Sequence, residues 1–148
     1  MALDYGTRRI GLAISDAEGT FAFPAGALAS RGRPSDLEEL RRLAADRGVQ
    51  RIVVGLPIHL SGRKGSAAQA AEEFANEVAK ITGLPVELLD ERWTTRAAER
   101  SLAESKSGRR RRREVVDSAA ATLLLQTWLE RARNTAGAGA PGAESDPG

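Results

Sequence analysis

Within the first 28 residues three strand-like runs, Met1–Tyr5, Ile10–Ser15 and Thr20–Leu28, are separated only by "GTRR" and "DAEG". Parallel neighbours need a crossover of about a dozen residues or more, so connections this short return the chain antiparallel beside itself. Glycine and polar residues in both connectors suit tight turns. The chain therefore opens as an antiparallel meander of three strands, and everything after it must extend that sheet or pack against it.

Beyond Leu28 helical and strand patterns alternate. "SDLEELRRLAADRG" predicts a helix: it has a capping box of Ser35 with Glu38, apolar positions at Leu37, Leu40, Leu43 and Ala44, and Gly48 as its stop. "RIVVGLP" is a β-branched run ended by Gly55 and Pro57, the pattern of a strand covered on both faces. After the polar loop "IHLSGRKGS", Ala70, Phe74, Val78 and Ile81 mark a helix over Ala67–Ile81 closed by Gly83, and "LPVELLDE" is one more strand. "TTRAAERSLAES" predicts a short helix opened by Thr94 or Thr95, "KSGRRRRRE" a charged loop, and Val115–Arg133 a long apolar helix. Such strand–helix–strand units cross over right-handedly. The predicted fold is α/β: a mixed sheet, three antiparallel strands plus parallel ones, with helices on both faces and ligands expected at the carboxyl ends of the parallel strands. One domain spans residues 1–133, and the Gly/Pro-rich tail from Asn134 to Gly148 is expected to be disordered.

Composition narrows the chemistry. There is no cysteine and a single histidine, His59, so thiolate catalysis, disulfides and Cys/His zinc sites are excluded. Hydrophobic residues at 41% and charged ones at 28% describe a globular chain. No apolar run reaches the roughly 20 residues of a membrane helix, and no secretion signal is visible, so a cytoplasmic location with no membrane partner is expected. Of the 20 acids two fall after Arg133, where there is no base, so residues 1–133 carry 22 bases against 18 acids. The bases are mostly arginine, whose planar fork suits phosphate.

Acids are placed where the fold could gather them. Asp4 ends the first strand, Asp90 and Glu91 end the last, and Asp117 heads the helical stripe Asp117, Ala121, Leu124, Trp128. Converging carboxylates repel unless a cation neutralises them, and hard oxygen ligands select Mg²⁺ or Mn²⁺. Structural readings compete at each position. Asp4 could bind the amides of Gly6 and Thr7 in a turn, Asp117 could cap a helix starting at Ser118, and Asp90 or Glu91 could pair with Arg92 on the surface.

The motifs "LDYGTRRIGLAISD", "VVGLP", "DERWTT" and "VDSAAATLLLQTWLE" resemble, in order and spacing, the YqgF or RuvX family of bacterial Holliday-junction-resolvase-like nucleases, which have a ribonuclease H fold. The likeness runs to about Arg131. It implies that Asp4, Glu91 and Asp117 form a catalytic metal site for Mg²⁺ or Mn²⁺, as two ions, with Asp90 as a neighbour. It also implies hydrolysis of phosphodiesters in structured nucleic acid. The substrate would be a four-way DNA junction, cut by a homodimer, or the 5′ end of precursor 16S rRNA, which a monomer can trim. In the loop after "GLP" the family commonly reads Leu-Asn, an apolar residue and Asp-Gly; here His59 and Ser61 stand in place of the usual amide and acid.

Nucleic acid would meet a basic rim. Arg8 and Arg9 follow Asp4, Arg63 and Lys64 lie in the divergent loop, Arg92 follows Glu91, and Arg109, Arg110, Arg111, Arg112 and Arg113 precede the helix of Asp117. Trp93 could stack on a base, whereas Trp128 on the helix stripe is a packing residue. Two other functions fit parts of the pattern. One is a nucleic-acid-binding module without catalysis. The other is a nucleotide-binding protein of the actin and hexokinase class, whose phosphate loop "DYGTRRIG" also resembles, although that class closes two such domains around ATP and this chain holds one.

Overall fold

The computed structural model describes residues 1–6, 8–56 and 65–90, the backbone of 109–144, and within that last stretch the side chains of 118–135. The elements run β1 (Ala2–Tyr5), β2 (Arg9–Ser15), β3 (Ala22–Ala29), α1 (Arg33–Asp46), β4 (Ile52–Leu56), α2 (Ser66–Thr82), β5 (Val86–Asp90) and α3 (Arg109–Glu144). They form one five-stranded sheet in the order β3-β2-β1-β4-β5. The meander is present, with β1 antiparallel to β2 and β2 to β3, while β4 lies parallel to β1 and β5 parallel to β4. Each parallel step is separated in sequence by a helix that carries the chain back over the sheet.

The strands alternate between two cores. Leu3, Ile10, Leu12, Ile52 and Val54 face α1 and α2, where they bury Leu40, Ala44, Phe74 and Val78. Ala2, Ala13, Val53 and Leu89 face α3, against Ala121, Leu124, Leu125 and Leu129. β4 is buried along its whole length, as its unbroken apolar run requires. The α2 helix ends at Gly83, whose φ of 71° is a left-handed conformation that glycine adopts without the steric cost of a Cβ.

The edge strand β3 is blunted. Its pairing with β2 shifts register between Gly11 and Ala13, and Pro24 removes one amide from the ladder. Phe21 and Phe23 are exposed there, at 59% and 53%.

Three expectations need correction. The α1 helix is not opened by Ser35 and Glu38: it starts at Arg33 with Gly32 as its cap residue and Pro34 in the first turn, a position that proline tolerates because its missing amide would be unsatisfied anyway. Asp36, buried one turn in, instead ties down the chain leading into the helix, its carboxylate accepting from the Arg31 amide at 2.8 Å and the Ser30 hydroxyl at 2.5 Å. Glu38 pairs with Arg41 instead. Arg109–Arg113 do not lie in a loop; the backbone is helical from Arg109, in keeping with the good helix propensity of arginine. Nor does the last helix stop at Arg133. Its backbone is helical to Glu144, although Gly137, Gly139, Pro141 and Gly142 each disfavour helix there.

Candidate active site

Asp4 lies at the carboxyl end of β1, the central strand of the sheet. Because neighbouring residues of a strand point to opposite faces, Leu3 in the α1/α2 core and Ala2 in the α3 core turn the half-buried Asp4 toward α3. It pairs with Gly11 of β2. One step beyond the Leu3–Val54 pair, Gly55 of β4 flanks it on the other side. An acid between two strand glycines has no side chain beside it in the sheet, and a glycine inside a strand often marks a place where something approaches closely.

The helix α3 crosses this face. The Ser118 hydroxyl reaches the Leu12 carbonyl at 3.5 Å, while further along the Gln126 carboxamide accepts from the Ala22 amide and the Trp128 indole donates to Glu87. The helix thus runs from the carboxyl end of β1 toward its amino end. Its residue 117, just before Ser118, is level with the Asp4–Gly11 pair. Since the helix begins at Arg109, Asp117 is an interior residue of α3 and does not cap a helix starting at Ser118. Of the two amides that a turn at Asp4 would use, that of Gly6 donates to the Arg9 carbonyl at 2.9 Å, and Thr7 lies outside the described residues.

Asp90 ends β5 and pairs with Leu56. Leu89 belongs to the α3 core, so alternation turns Asp90 to the opposite face from Asp4. Glu91 lies outside the described residues, as do His59, Ser61, Arg63, Lys64, Arg92, Trp93 and the short helix expected from Thr94 or Thr95; the side chains of Asp117 and Arg109–Arg113 do so too. Among the described residues no three metal-ligating side chains come together. Asp4 is the one member of the expected trio whose side chain is described, and a carboxylate is the type of oxygen donor that hard divalent ions take.

The end of β1 is braced from below. The Tyr5 ring stacks on Phe74 of α2 at 4.3 Å between centroids and 19° between planes. Arg33 covers both rings, donates to the Tyr5 hydroxyl at 2.8 Å and pairs with Glu77 at 2.9 Å. Hydrogen bonding to Glu77 raises the Arg33 pKa further, so the cation is permanent. The turn after Tyr5 is equally restricted: a Cβ on Gly6 would lie 2.8 Å from the Arg9 carbonyl oxygen. Sequence reading passes over this brace because Tyr5, Arg33, Phe74 and Glu77 come from three elements. Gly11 and Gly55 were detectable as glycines interrupting strand patterns. Trp128, expected as a core residue, sits at the border of the core, held by Glu87 and covered by Arg51 at 5.6 Å.

A mixed sheet in the order β3-β2-β1-β4-β5, helices on both faces and an acid at the end of the central strand make this a ribonuclease H-like α/β protein. A family profile described as RuvX, Holliday junction resolvase, matches residues 1–131. A relative from Koribacter versatilis (strain Ellin345) is 44% identical over 131 residues, covering 88% of this chain and 86% of its own. One from Pelotomaculum thermopropionicum is 42% identical over 151 residues, covering 99% and 98%. Another from Chloroflexus aggregans is 39% identical over 134 residues, covering 90% and 94%. All three carry the name "Putative pre-16S rRNA nuclease". The chain belongs to the RuvX Holliday junction resolvase family. Among the described residues no helix is long and apolar enough to cross a membrane.

Proposed function

We propose that this chain is a cytoplasmic, divalent-metal-dependent endonuclease that hydrolyses phosphodiesters of structured nucleic acid, with precursor 16S rRNA or a four-way DNA junction as substrate. The observation that carries the reading is Asp4: a carboxylate at the end of the central strand, between two glycines, under the helix that bears Asp117. Asp4, Glu91 and Asp117 would hold the metal, as two Mg²⁺ or Mn²⁺ ions. When bound, such ions lower the pKa of water and stabilise the leaving oxygen of a phosphodiester. The chain itself supplies rigidity. The ladder with β2 holds the backbone of Asp4, the ladder with β4 holds Leu3 before it, and the Tyr5–Phe74–Arg33 stack fixes the residue after it.

The arginines supply the substrate's countercharge. Five of them open α3 with no acid in its first turn, an order that opposes the helix dipole by about 0.3–1 kcal/mol for each charge near the terminus at low salt. A placement that disfavours the free helix is explained by a polyanion that relieves it. Paired incisions of a junction would need two copies related by a two-fold axis, whereas trimming an RNA end needs one.

The test incubates the wild-type chain and Asp4→Asn with a labelled four-way DNA junction and an RNA spanning the 5′ boundary of precursor 16S rRNA, each with Mn²⁺, Mg²⁺ or EDTA. Cleavage of either substrate, lost in EDTA and in Asp4→Asn while binding persists, is expected. Equal cleavage by Asp4→Asn, or none by wild type on either substrate, refutes the proposal.

A further inference from the structure

Arg9 opens β2 on the same face as Asp4. Tyr5 pairs with Ile10 and Asp4 with Gly11, so Arg9 and Gly11 share the α3 face, and Arg9 is the diagonal neighbour of Asp4 across the ladder. Diagonal positions in an antiparallel pair lie about 7–8 Å apart, within reach of a side chain as long as arginine. The two arginines of the turn are not equivalent: Arg8 is exposed and Arg9 is half-buried.

Arg9 also carries an anomaly. Its Nη1 is buried and makes no hydrogen bond. Among the described residues its guanidinium takes part in no salt bridge, although four other arginines on the surface do. A guanidinium has five N–H donors and no acceptor, so a buried one is satisfied only by an acceptor brought to it. A buried donor left without an acceptor destabilises the fold, and more so when it is charged. Structural arginines are not left in this state, whereas a group awaiting an anion is.

We infer that Arg9 is a phosphate-binding residue of the active site, donating from Nη1 to a non-bridging oxygen of the phosphodiester brought against Asp4. The inference rests on the nuclease reading for the identity of the anion, but the anion site stands on the geometry of Arg9 itself. A rigid fork bound to the transferred phosphate both orients it and offsets its charge, so Arg9 is a catalytic residue, and Arg8 contributes only to general attraction.

The experiment compares wild type with Arg9→Met, Arg9→Lys and Arg8→Met. Thermal melting of the full chain is followed in EDTA with and without inorganic phosphate, and cleavage is then measured with Mn²⁺. Without phosphate, Arg9→Met should melt no lower than wild type, because a side chain whose buried Nη1 makes no hydrogen bond has been replaced by an apolar one of similar length. Phosphate should raise the melting temperature of wild type and Arg8→Met but not of Arg9→Met. Arg9→Lys, which keeps the charge and loses the fork, should respond only weakly, and it serves if the methionine variant does not fold. Cleavage by Arg9→Met should fall about 10²–10³-fold in kcat, the effect of removing one donor aimed at the developing charge. A full phosphate response in Arg9→Met, or none in wild type, overturns the inference. Wild-type cleavage matched by Arg9→Met overturns it and leaves the nuclease reading intact; an Arg9-dependent phosphate response in a chain that cleaves nothing does the reverse.

Discussion

Truncating Phe74 tests how firmly the end of β1 is held. The ring is fully buried in the α1/α2 core, stacks on Tyr5 at 4.3 Å and lies 5.5 Å below the Arg33 guanidinium carbon. Phe→Ala in a core costs about 3–5 kcal/mol in lost transfer energy and cavity formation. Loss of the aromatic pair, about 0.5–1.5 kcal/mol, places Phe74→Ala toward the top of that range. A loss of about 4–5 kcal/mol is a large share of the 5–15 kcal/mol that holds a typical domain folded. At about 2–4 °C per kcal/mol for a chain of this size, the melting temperature should fall by about 8–20 °C. Phe74→Leu keeps most of the apolar volume and gives up the ring stacking, so about 1–2 kcal/mol is expected. Thermal melts followed by circular dichroism, with guanidinium midpoints at constant m, separate the two variants. Phe74→Ala melting within about 3 °C of wild type, or no more destabilised than Phe74→Leu, would refute a load carried by the buried ring.

Two further perturbations probe helix ends. Asp36→Ala removes the acceptor of the Arg31 amide and the Ser30 hydroxyl, and should lower stability by about 2–3 kcal/mol, since a hydrogen bond to a charged group contributes about 1.5–3 kcal/mol and the freed donors can turn to water; a guanidinium midpoint shifted by less than a quarter of that amount would show that this tie is dispensable. Replacing Arg109–Arg113 by glutamine should flatten the salt dependence of duplex DNA binding, by about 0.9 in the slope of log K for each phosphate no longer neutralised, while leaving the melting temperature unchanged or higher because the first turn no longer opposes the helix dipole. An unaltered slope in a salt titration of affinity would remove the basic run from the interface.

The fold was legible in the sequence where short-range physics decides it. Turn residues between short apolar runs dictated the meander, and the unbroken apolar run of β4 correctly announced burial on both faces. The ends of helices were less legible. Asp36 holds the segment before α1 from inside its first turns, which no N-terminal motif announces, and the like charges of Arg109–Arg113 point to a loop although each arginine favours helix by itself. In the candidate site, Asp4 could be singled out because a carboxylate in an apolar strand requires an explanation. The difference between Arg8 and Arg9 was available too, since Arg9 shares strand parity with Gly11 and Ala13, but its unsatisfied Nη1 emerges only from packing. The brace of Tyr5 by Phe74 and Arg33 is tertiary and left no local signal.

The distribution of side-chain size under α3 ties these observations to the site. Beside Asp4 the sheet offers Gly11 and Gly55, while further along Ala2, Ala13 and Val53 meet Ala121, Leu124, Leu125 and Leu129 of the helix. The helix meets this end of the sheet at Ser118, whose hydroxyl reaches the Leu12 carbonyl. Glycine within a strand destabilises by about 0.5–1 kcal/mol relative to alanine, so two of them beside one acid are a local sacrifice of stability. A sheet that needed only a packed core would have used alanine or valine there. Gly11 and Gly55 place no Cβ beside Asp4 in the sheet, so the two glycines that weaken the strands are what the proposed role of Asp4 as a metal ligand would call for.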